Sequence, residues 1–230
     1  RPGKGMHAGA DRVQQWLRQC RHNWGAVYCL KADVKKYFPS INHNALKRIL
    51  RRTIKDKHVL ALLDEIIEST QETGEATPAG IPIGNLTSQL FANLYLNELD
   101  QFVKHRLKVR HYIRYMDDFL LLSDSKQQLW VWLRDIKDFL RTSLALELNN
   151  KTAIFPVASR GVDFLGYRIW PDYRLLRKSS VKRMRRKIKA YKRRYAAGEM
   201  SAEEINRSIQ SWLGHAQHAD SYRIRTKLMG

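Results

Sequence analysis

The segment His111–Ser123, HYIRYMDDFLLLS, constrains this chain more than any other stretch. Two adjacent carboxylates, Asp117 and Asp118, interrupt a run of tyrosine, isoleucine and leucine. Both arms are rich in residues that favour extended backbone, so the pattern predicts two short strands joined at the acidic pair. A bare Asp-Asp between apolar runs is most often a polar turn. Two like charges side by side are nevertheless costly unless a cation or hydrogen bonds compensate them, and other parts of the chain bear on which reading holds.

With 230 residues, 43% of them hydrophobic, the chain can bury a sizeable core as one large or two small domains. Lys and Arg number 42 against 22 Asp and Glu, a net charge of +20. That imbalance calls for a polyanionic partner, nucleic acid first. An anionic membrane surface is the rival, but no stretch approaches a spanning helix in length and apolarity. The N-terminus carries no secretory signal peptide. Cys20 and Cys29 are too few for a metal framework and would pair only in an oxidising compartment. The default expectation is a reducing cytoplasm. The opening Arg1-Pro2-Gly3-Lys4-Gly5, without an initiator methionine, reads as a piece of a longer protein.

Taken in order, the periodicity predicts a helix over about 9–19 with Val13, Trp16 and Leu17 on one face. Ala26–Leu30 (AVYCL) reads as a buried strand running into Asp33, either a cap beyond the strand or a metal ligand. A helical pair follows over 41–69, with stripes at Leu46, Ile49 and Leu50 and at Val59, Leu60, Leu63, Ile66 and Ile67. Residues 71–84 form a loop punctuated by glycine and proline. The next helix begins near Asn85 or Leu86 and runs to about Lys104, with Leu90, Leu94 and Leu99 inward. Beyond the acidic pair come a helix over 126–142, a strand over 144–148, a turn at Asn149-Asn150-Lys151 and a strand over 162–170. That last strand contains Gly166, which often marks close backbone approach by another group.

From Arg168 to Gly230 there are 17 basic residues against 5 acidic ones. Val181, Met184, Ile188, Tyr191 and Tyr195 form one apolar stripe, and nine basic residues fill the other faces between Lys182 and Arg194. A charge run is more often a solvated face than a binding site, but nine like charges repel one another and are better accommodated beside phosphates. A last helix over about 203–216 carries Ile205, Ile209, Trp212 and Leu213. His215 and His218, three apart with no third ligand, fit packing or polar-surface roles better than a metal site.

Tyr115-Met116-Asp117-Asp118 resembles the YxDD signature of reverse transcriptases, and Asp33-Val34-Lys35-Lys36-Tyr37-Phe38 resembles their first aspartate motif. LNNKT resembles the segment whose lysine, here Lys151, lies near the departing phosphate. FLGYRI, Phe164–Ile169, resembles the primer grip, and the basic tail with Trp212-Leu213-Gly214-His215-Ala216 is similar to a thumb. RPGKGMHAG resembles the end of the fingers. The matches keep the order of the group II intron-like lineage over essentially the whole chain. Ile83-Gly84-Asn85-Leu86-Thr87-Ser88-Gln89 departs from the usual QGxxxSP and, with RGVDFLGYRIWP and LLRKSSVKR, resembles reverse transcriptases of diversity-generating retroelements. Those enzymes copy a template RNA with errors at adenines.

The resemblance implies an α+β right-hand polymerase. Its parts would be the end of the fingers over 1–25 with most of the fingers upstream, a palm over 26–172 with an antiparallel sheet backed by helices, and a basic helical thumb over 173–230. It implies an error-prone RNA-directed DNA polymerase using two Mg²⁺ ions, with Mn²⁺ as a substitute. Asp33, Asp117 and Asp118 would hold metal, with Val34 in the same set and Lys151 in the catalytic group. Lys35, Lys36, Tyr37, Phe38, Ile83 and Gly84 would line the nucleotide, Phe38 lying under its sugar to reject a 2′-hydroxyl. Tyr115, Met116, Phe164, Leu165, Gly166, Tyr167, Arg185, Arg186, Lys189 and Arg193 would hold primer and template. The implied partners are template RNA and its hybrid with cDNA, deoxynucleoside triphosphates and a small basic helical accessory protein, in a bacterial, phage or archaeal cytoplasm. A group II intron-type reverse transcriptase or maturase is the alternative within the class. A non-catalytic nucleic-acid binder on a degenerate polymerase scaffold is the alternative outside it, disfavoured because a binder gains nothing from acids facing phosphate.

Overall fold

The computed structural model describes residues 5–69, 78–82 and 84–229, so Ile83 lies outside the described residues. In chain order the elements are α1 (Met6–Trp24), β1 (Tyr28–Asp33), α2 (His43–Thr53), α3 (Lys57–Glu68), α4 (Leu86–Gln101), β2 (Tyr112–Tyr115), β3 (Asp118–Ser123), α5 (Lys126–Leu144), β4 (Ala153–Pro156), the one-turn α6 (Val157–Arg160), β5 (Val162–Phe164), β6 (Tyr167–Ile169), β7 (Arg174–Leu176), α7 (Lys178–Ala196), α8 (Ala202–Ala216) and α9 (Tyr222–Met229). A short 3₁₀ turn covers Phe38–Ser40, and α4 runs into a π-helical turn at Phe102–Arg106. No helix among the described residues is long and apolar enough to cross a membrane. Cys20 and Cys29 are both buried and are not joined in a disulfide.

The fold is α+β, in two compact units: residues 28–155, and residues 1–27 together with 156–230. The expected boundaries at 25/26 and 172/173 compare with observed divisions at 27/28 and 155/156.

The 28–155 unit is built on a four-stranded sheet in the order β2-β3-β1-β4. β1 pairs antiparallel with β3, and β3 pairs antiparallel with β2 across a two-residue turn at Met116-Asp117. Side chains alternate along a strand, so one face presents Leu30, Ala32, Val34, Phe119, Leu121 and Tyr112 to a single core shared with Leu46 and Ile49 of α2, Phe91, Tyr95 and Leu99 of α4, and Leu129, Leu133 and Ile136 of α5. Each such fully buried leucine or phenylalanine contributes about 1.5–3 kcal/mol relative to an exposed one.

Three helices of this unit begin with a side-chain cap. Asn42 accepts the Ala45 N–H at the start of α2, Asp56 accepts the His58 and Val59 N–H groups at α3, and Ser125 accepts the Gln128 N–H at α5. Two expected inward residues point outward instead. Leu90 is 57% exposed and Val59 is 44% exposed. In α4 the inward stripe is Ser88, Phe91, Ala92, Tyr95, Leu96 and Leu99, and Leu90 lies off it by the helical period. The strand expected over 144–148 is reduced to one bridge, Val34 with Leu148, because the strand that joins the sheet is β4.

The other unit contains α1, the sheet β5-β6-β7 and the helices from α7 onward. The single strand expected over 162–170 is a hairpin, β5 with β6, turning at Leu165 (φ 52°) and Gly166 (φ 87°). A Cβ added at Gly166 would stand 3.1 Å from His215 Cε1 and Nε2, so the glycine does mark a close approach. α8 starts with a reciprocal cap between Ser201 and Glu204. α7 and α8 form a helical hairpin in which the Tyr191 hydroxyl and Ser208 Oγ lie 2.6 Å apart and Trp212 Nε1 donates to Ser180 Oγ at 3.3 Å.

A polar cluster ties α1 to β6 and α8 within this unit. The Tyr167 hydroxyl lies 3.0 Å from Nδ1 of both His7 and His215 and donates to the His215 carbonyl at 2.9 Å. Tyr167 stacks on His215, His7 stacks on His218, and the Arg174 guanidinium lies 5.4 Å from the Tyr167 ring centroid. Burial lowers the pKa of His7, helped by His218 and Arg174 and opposed by Asp11. Burial also lowers that of His215, helped by His7 and His218. Both histidines therefore protonate more readily in the unfolded chain than in the folded one. Stability is full above the ordinary histidine value of 6.5 and falls as pH drops through it, because the unfolded state takes up protons first. Melting temperatures at about pH 8 and about pH 5.5 should show a drop that is smaller in His215→Gln. An equal drop in parent and variant would assign the effect to other groups.

Candidate functional site

β1 ends on Asp33 and β3 begins on Asp118, and the two are paired directly in the antiparallel register. Directly paired residues project from the same face of a sheet. Asp117 occupies the second position of the turn that precedes β3, beside Met116 in the left-handed region at φ 56°. The Asp117 carbonyl accepts the Val34 N–H at 3.3 Å, which ties the turn to the end of β1.

The three aspartates differ in their surroundings. Burial pushes the Asp117 carboxyl above its ordinary value, a hydrogen bond from its own backbone N–H works the other way, and the nearby Asp33 charge adds to the rise. Asp33 and Asp117 are thus close enough to repel each other. Asp118 instead takes Lys31 Nζ at 3.1 Å, one pleat back on β1. Asp118 thus stands opposite Asp33 across the register and beside Lys31 along the sheet. Among the described residues no three of His, Cys, Asp and Glu form a group that could hold a metal ion. A pair of oxygen donors still suits a hard ion such as Mg²⁺, which is commonly held by one or two carboxylates with the remaining positions on phosphate and water.

A second segment is laced along the end of β1. Lys35 N–H donates to the Glu147 carbonyl at 2.9 Å, and Asn149 N–H donates to the Asp33 carbonyl at 2.8 Å. Asn149 then closes the turn that carries Lys151, its Oδ1 accepting the Lys151 N–H at 3.1 Å and its carbonyl accepting the Thr152 hydroxyl at 2.7 Å. Lys151 is exposed and is linked to Asp33 through Asn149, which donates its N–H to the Asp33 carbonyl and accepts the Lys151 N–H. The structure therefore brings Asp33, Asp117, Asp118 and the Lys151 turn to one end of the sheet.

Of the residues expected to line a nucleotide, Lys35 and Lys36 are exposed, with Lys35 Nζ 3.3 Å from Glu147 Oε2 and Lys36 at φ 45°. Tyr37 is not a lining group. It is 4% exposed, its hydroxyl donates to the Ala92 carbonyl, and burial raises its pKa. Its ring braces the end of β1 on α4, which a tyrosine does well because one end is apolar and the other finds an acceptor. Val34 is likewise a core side chain, 2% exposed. Phe38 is half-buried, edge-on to Tyr37 with ring centroids 5.8 Å apart, and its carbonyl accepts the Ile81 N–H. Gly84 turns at φ 105° ahead of α4. Tyr115 is exposed at the turn.

Apart from Tyr115 and Met116, the residues expected to hold primer and template lie in the other unit. Phe164 and Tyr167 are fully buried, while Leu165 and Gly166 form the hairpin turn. Arg185, Arg186, Lys189 and Arg193 all lie exposed on α7, away from its buried Met184, and none of them forms an ion pair among the described residues.

Several site-building residues carried no obvious signal. Lys31 partners Asp118, Asn149 anchors the Lys151 turn, and Arg114 lies behind the Met116-Asp117 turn, held by Asp100 and Tyr112. The signal for Arg114 was its parity: it shares the inward face of β2 with Tyr112, where a charge needs partners. Lys36, Met116 and Leu165 are non-glycine residues in the left-handed region, each inside one of the singled-out stretches. Such backbone costs about 1–3 kcal/mol and persists where the surroundings over-determine it, often at functional sites. Ala145, also left-handed, terminates α5.

The family model described as "Reverse transcriptase (RNA-dependent DNA polymerase)" matches residues 1–169. Protein YkfC of Escherichia coli (strain K12) is 28% identical over 204 residues, covering 74% of this chain and 53% of that protein. Group II intron-encoded protein LtrA of Lactococcus lactis subsp. cremoris is 23% identical over 248 residues, covering 80% of this chain and 40% of that protein. The chain thus spans about half or less of the length of these relatives. Among solved structures, telomerase from Candida albicans in complex with a TWJ fragment of telomeric RNA matches with a TM-score of 0.56 at 14% identity, covering 78% of this chain and 37% of that one. At that identity the likeness speaks to fold, and it agrees with a polymerase of the palm-and-thumb type.

Proposed function

The chain belongs to the reverse transcriptase (RNA-dependent DNA polymerase) family, and on that premise we propose that it is the palm and thumb part of an enzyme that extends a DNA primer on an RNA template. The observation that carries this reading is the convergence of Asp33 and Asp117 where β1 meets the β2–β3 turn. Two half-buried carboxylates at one end of a sheet, the charge of Asp33 adding to the rise of Asp117, suit cation binding far better than they suit stability.

Two divalent ions bound there would activate the primer 3′-hydroxyl and neutralise the leaving pyrophosphate. The chain's own contribution is placement. The β1–β3 register sets Asp33, the Val34 N–H and the Asp117 carbonyl join the turn to it, and Lys31 keeps Asp118 from adding a third uncompensated charge. Lys151, on a turn bonded to Asp33, offers a cation toward the triphosphate side. Phe38, half-buried against Tyr37, presents its ring edge where a sugar would lie. Asp33→Asn or Asp117→Asn should reduce primer extension with Mg²⁺ by about 10²-fold or more while leaving melting temperature and RNA binding close to the parent's. Extension near the parent rate in either variant would remove that carboxylate from the site.

The template is RNA and the product a hybrid, a reading supported by the family and by the RNA-bound state named for the Candida albicans telomerase. Deoxynucleoside triphosphates are the substrates, and the exposed basic face of α7 is the surface for the backbone of the duplex. Neutralising Arg185, Arg186, Lys189 and Arg193 together should weaken hybrid binding and flatten its salt dependence by up to roughly 0.7–0.9 in log-log slope per lost phosphate contact. An unchanged slope would assign this face to solvent or to a protein.

The finer reading is copying for targeted diversification in a diversity-generating retroelement, with a small basic helical accessory protein. It rests on the IGNLTSQ segment, Ile83–Gln89. Isoleucine at 83 offers packing but no hydrogen bond to an incoming nucleotide, and a site with fewer polar contacts discriminates less. The similarity to LtrA over 80% of this chain favours a group II intron-type enzyme as the second reading. Ile83→Gln should lower misincorporation, most visibly opposite template adenine, when cDNA made by both forms from one template is sequenced. Equal error spectra would leave the second reading in place.

A further inference from the structure

Arg114 lies on the inward face of β2, opposite Phe119, with its side chain only 9% exposed. A guanidinium buried that far requires partners for its donors. Asp100, in the last turn of α4, takes two of them in a fork: Nε to Oδ1 at 2.8 Å and Nη2 to Oδ2 at 2.6 Å. The Tyr112 hydroxyl also donates to Asp100 Oδ1, at 2.6 Å, so the carboxylate is fixed from two directions. The remaining nitrogen, Nη1, reaches past the end of the strand and donates to the Met116 carbonyl at 2.8 Å.

That carbonyl is one end of a single peptide unit whose other end is the Asp117 N–H. The unit is planar, so the direction of the C=O dictates the direction of the N–H. The Asp117 side chain leaves the Cα that directly follows this N–H, so the orientation of the plane sets where the carboxylate starts from. The next peptide is held as well, because the Asp117 carbonyl accepts the Val34 N–H at 3.3 Å. Met116 sits at φ 56°, a conformation it holds only where its surroundings impose it. We infer that Arg114, clamped by Asp100 and Tyr112, is a positioning residue that aims the Asp117 carboxylate through the Met116–Asp117 peptide plane.

The inference deepens the proposed polymerase reading and rests on it for its consequence in catalysis. Arg114 contacts neither substrate nor reacting atoms. Its effect is to hold one carboxylate where a displacement of about 1 Å can cost about 10²-fold in rate. The fork also explains the choice of arginine. Lysine could pair with Asp100 but has no planar set of donors to engage Asp100 twice and Met116 once.

The test uses the full chain with Arg114→Gln and Asp100→Asn combined, which removes both buried charges together and leaves no unpaired ion. Glutamine is too short to span Asp100 and the Met116 carbonyl at once. With the fold intact by melting temperature, kcat for primer extension should fall about 10–100-fold while KM for the nucleotide changes by less than about threefold. Amide hydrogen exchange at Asp117, followed by NMR, should accelerate by at least about tenfold. A kcat within about twofold of the parent, or unchanged exchange at Asp117, overturns the inference. If the double variant does not fold, Arg114→Lys, which keeps a cation on Asp100 but loses the third donor, is read by the same two measurements with the same outcomes. A parent that extends no primer refutes the polymerase reading, and exchange at Asp117 then still decides whether Arg114 holds the turn.

Discussion

The pairing of β1 with β3 is the constraint on which the remaining site geometry depends. Six residue pairs from Tyr28–Ser123 to Asp33–Asp118 set the register. Side chains alternate with a period of two, so a slip of one residue would turn Asp33 toward the helices and Lys31 with it. The core prevents that slip. Leu30, Ala32 and Val34 on one strand and Phe119 and Leu121 on the other are buried on the helix-facing side, and all would be expelled together. Hydrophobic burial on one face thereby fixes the position of carboxylates on the other. The same register leaves Lys31 one pleat from Asp118, where it pairs with the acid directly opposite Asp33.

A buried polar network supports the acidic turn from behind the sheet. The Arg114–Asp100–Tyr112 group lies at the junction of β2 and the end of α4, with three bonds on Arg114, three on Asp100 and one from the Tyr112 hydroxyl. Fully satisfied networks of this sort are rigid, and half-satisfied ones are costly. That asymmetry lets the protein keep Met116 in an unfavourable backbone region without relaxing. In the other unit Tyr167 plays a comparable part, its hydroxyl shared among His7, His215 and the His215 carbonyl, so that α1, β6 and α8 meet on one side chain. Gly166 is required there because His215 occupies the space a side chain would need.

How far the site could be read in advance follows from the range of each interaction. The Asp-Asp pair between strand-forming arms, the apolar run ending at Asp33 and the basic helix with one apolar stripe are local patterns, and each was legible from neighbours within a few residues. Tyr37 was misplaced because its acceptor, the Ala92 carbonyl, is 55 residues away. Leu90 was misplaced because α4 is apolar on more than one side, and only packing selects which leucines turn inward. The hairpin at Leu165-Gly166 looked like one strand because positive φ at a leucine leaves no trace in composition.

By itself the sequence determined most element types, the strongly basic balance and the positions of the acidic and basic clusters, because charge and periodicity are properties of short segments. The tertiary structure alone decided which acids meet. Asp33 and Asp117 stand 84 positions apart in the chain and come together because the register sets Asp33 opposite Asp118, the neighbour of Asp117, which also takes Lys31. It also decided that Arg114 would be buried on Asp100 rather than solvated, since only the packing of α4 against the sheet removes that side chain from water and leaves its last donor to the Met116 carbonyl.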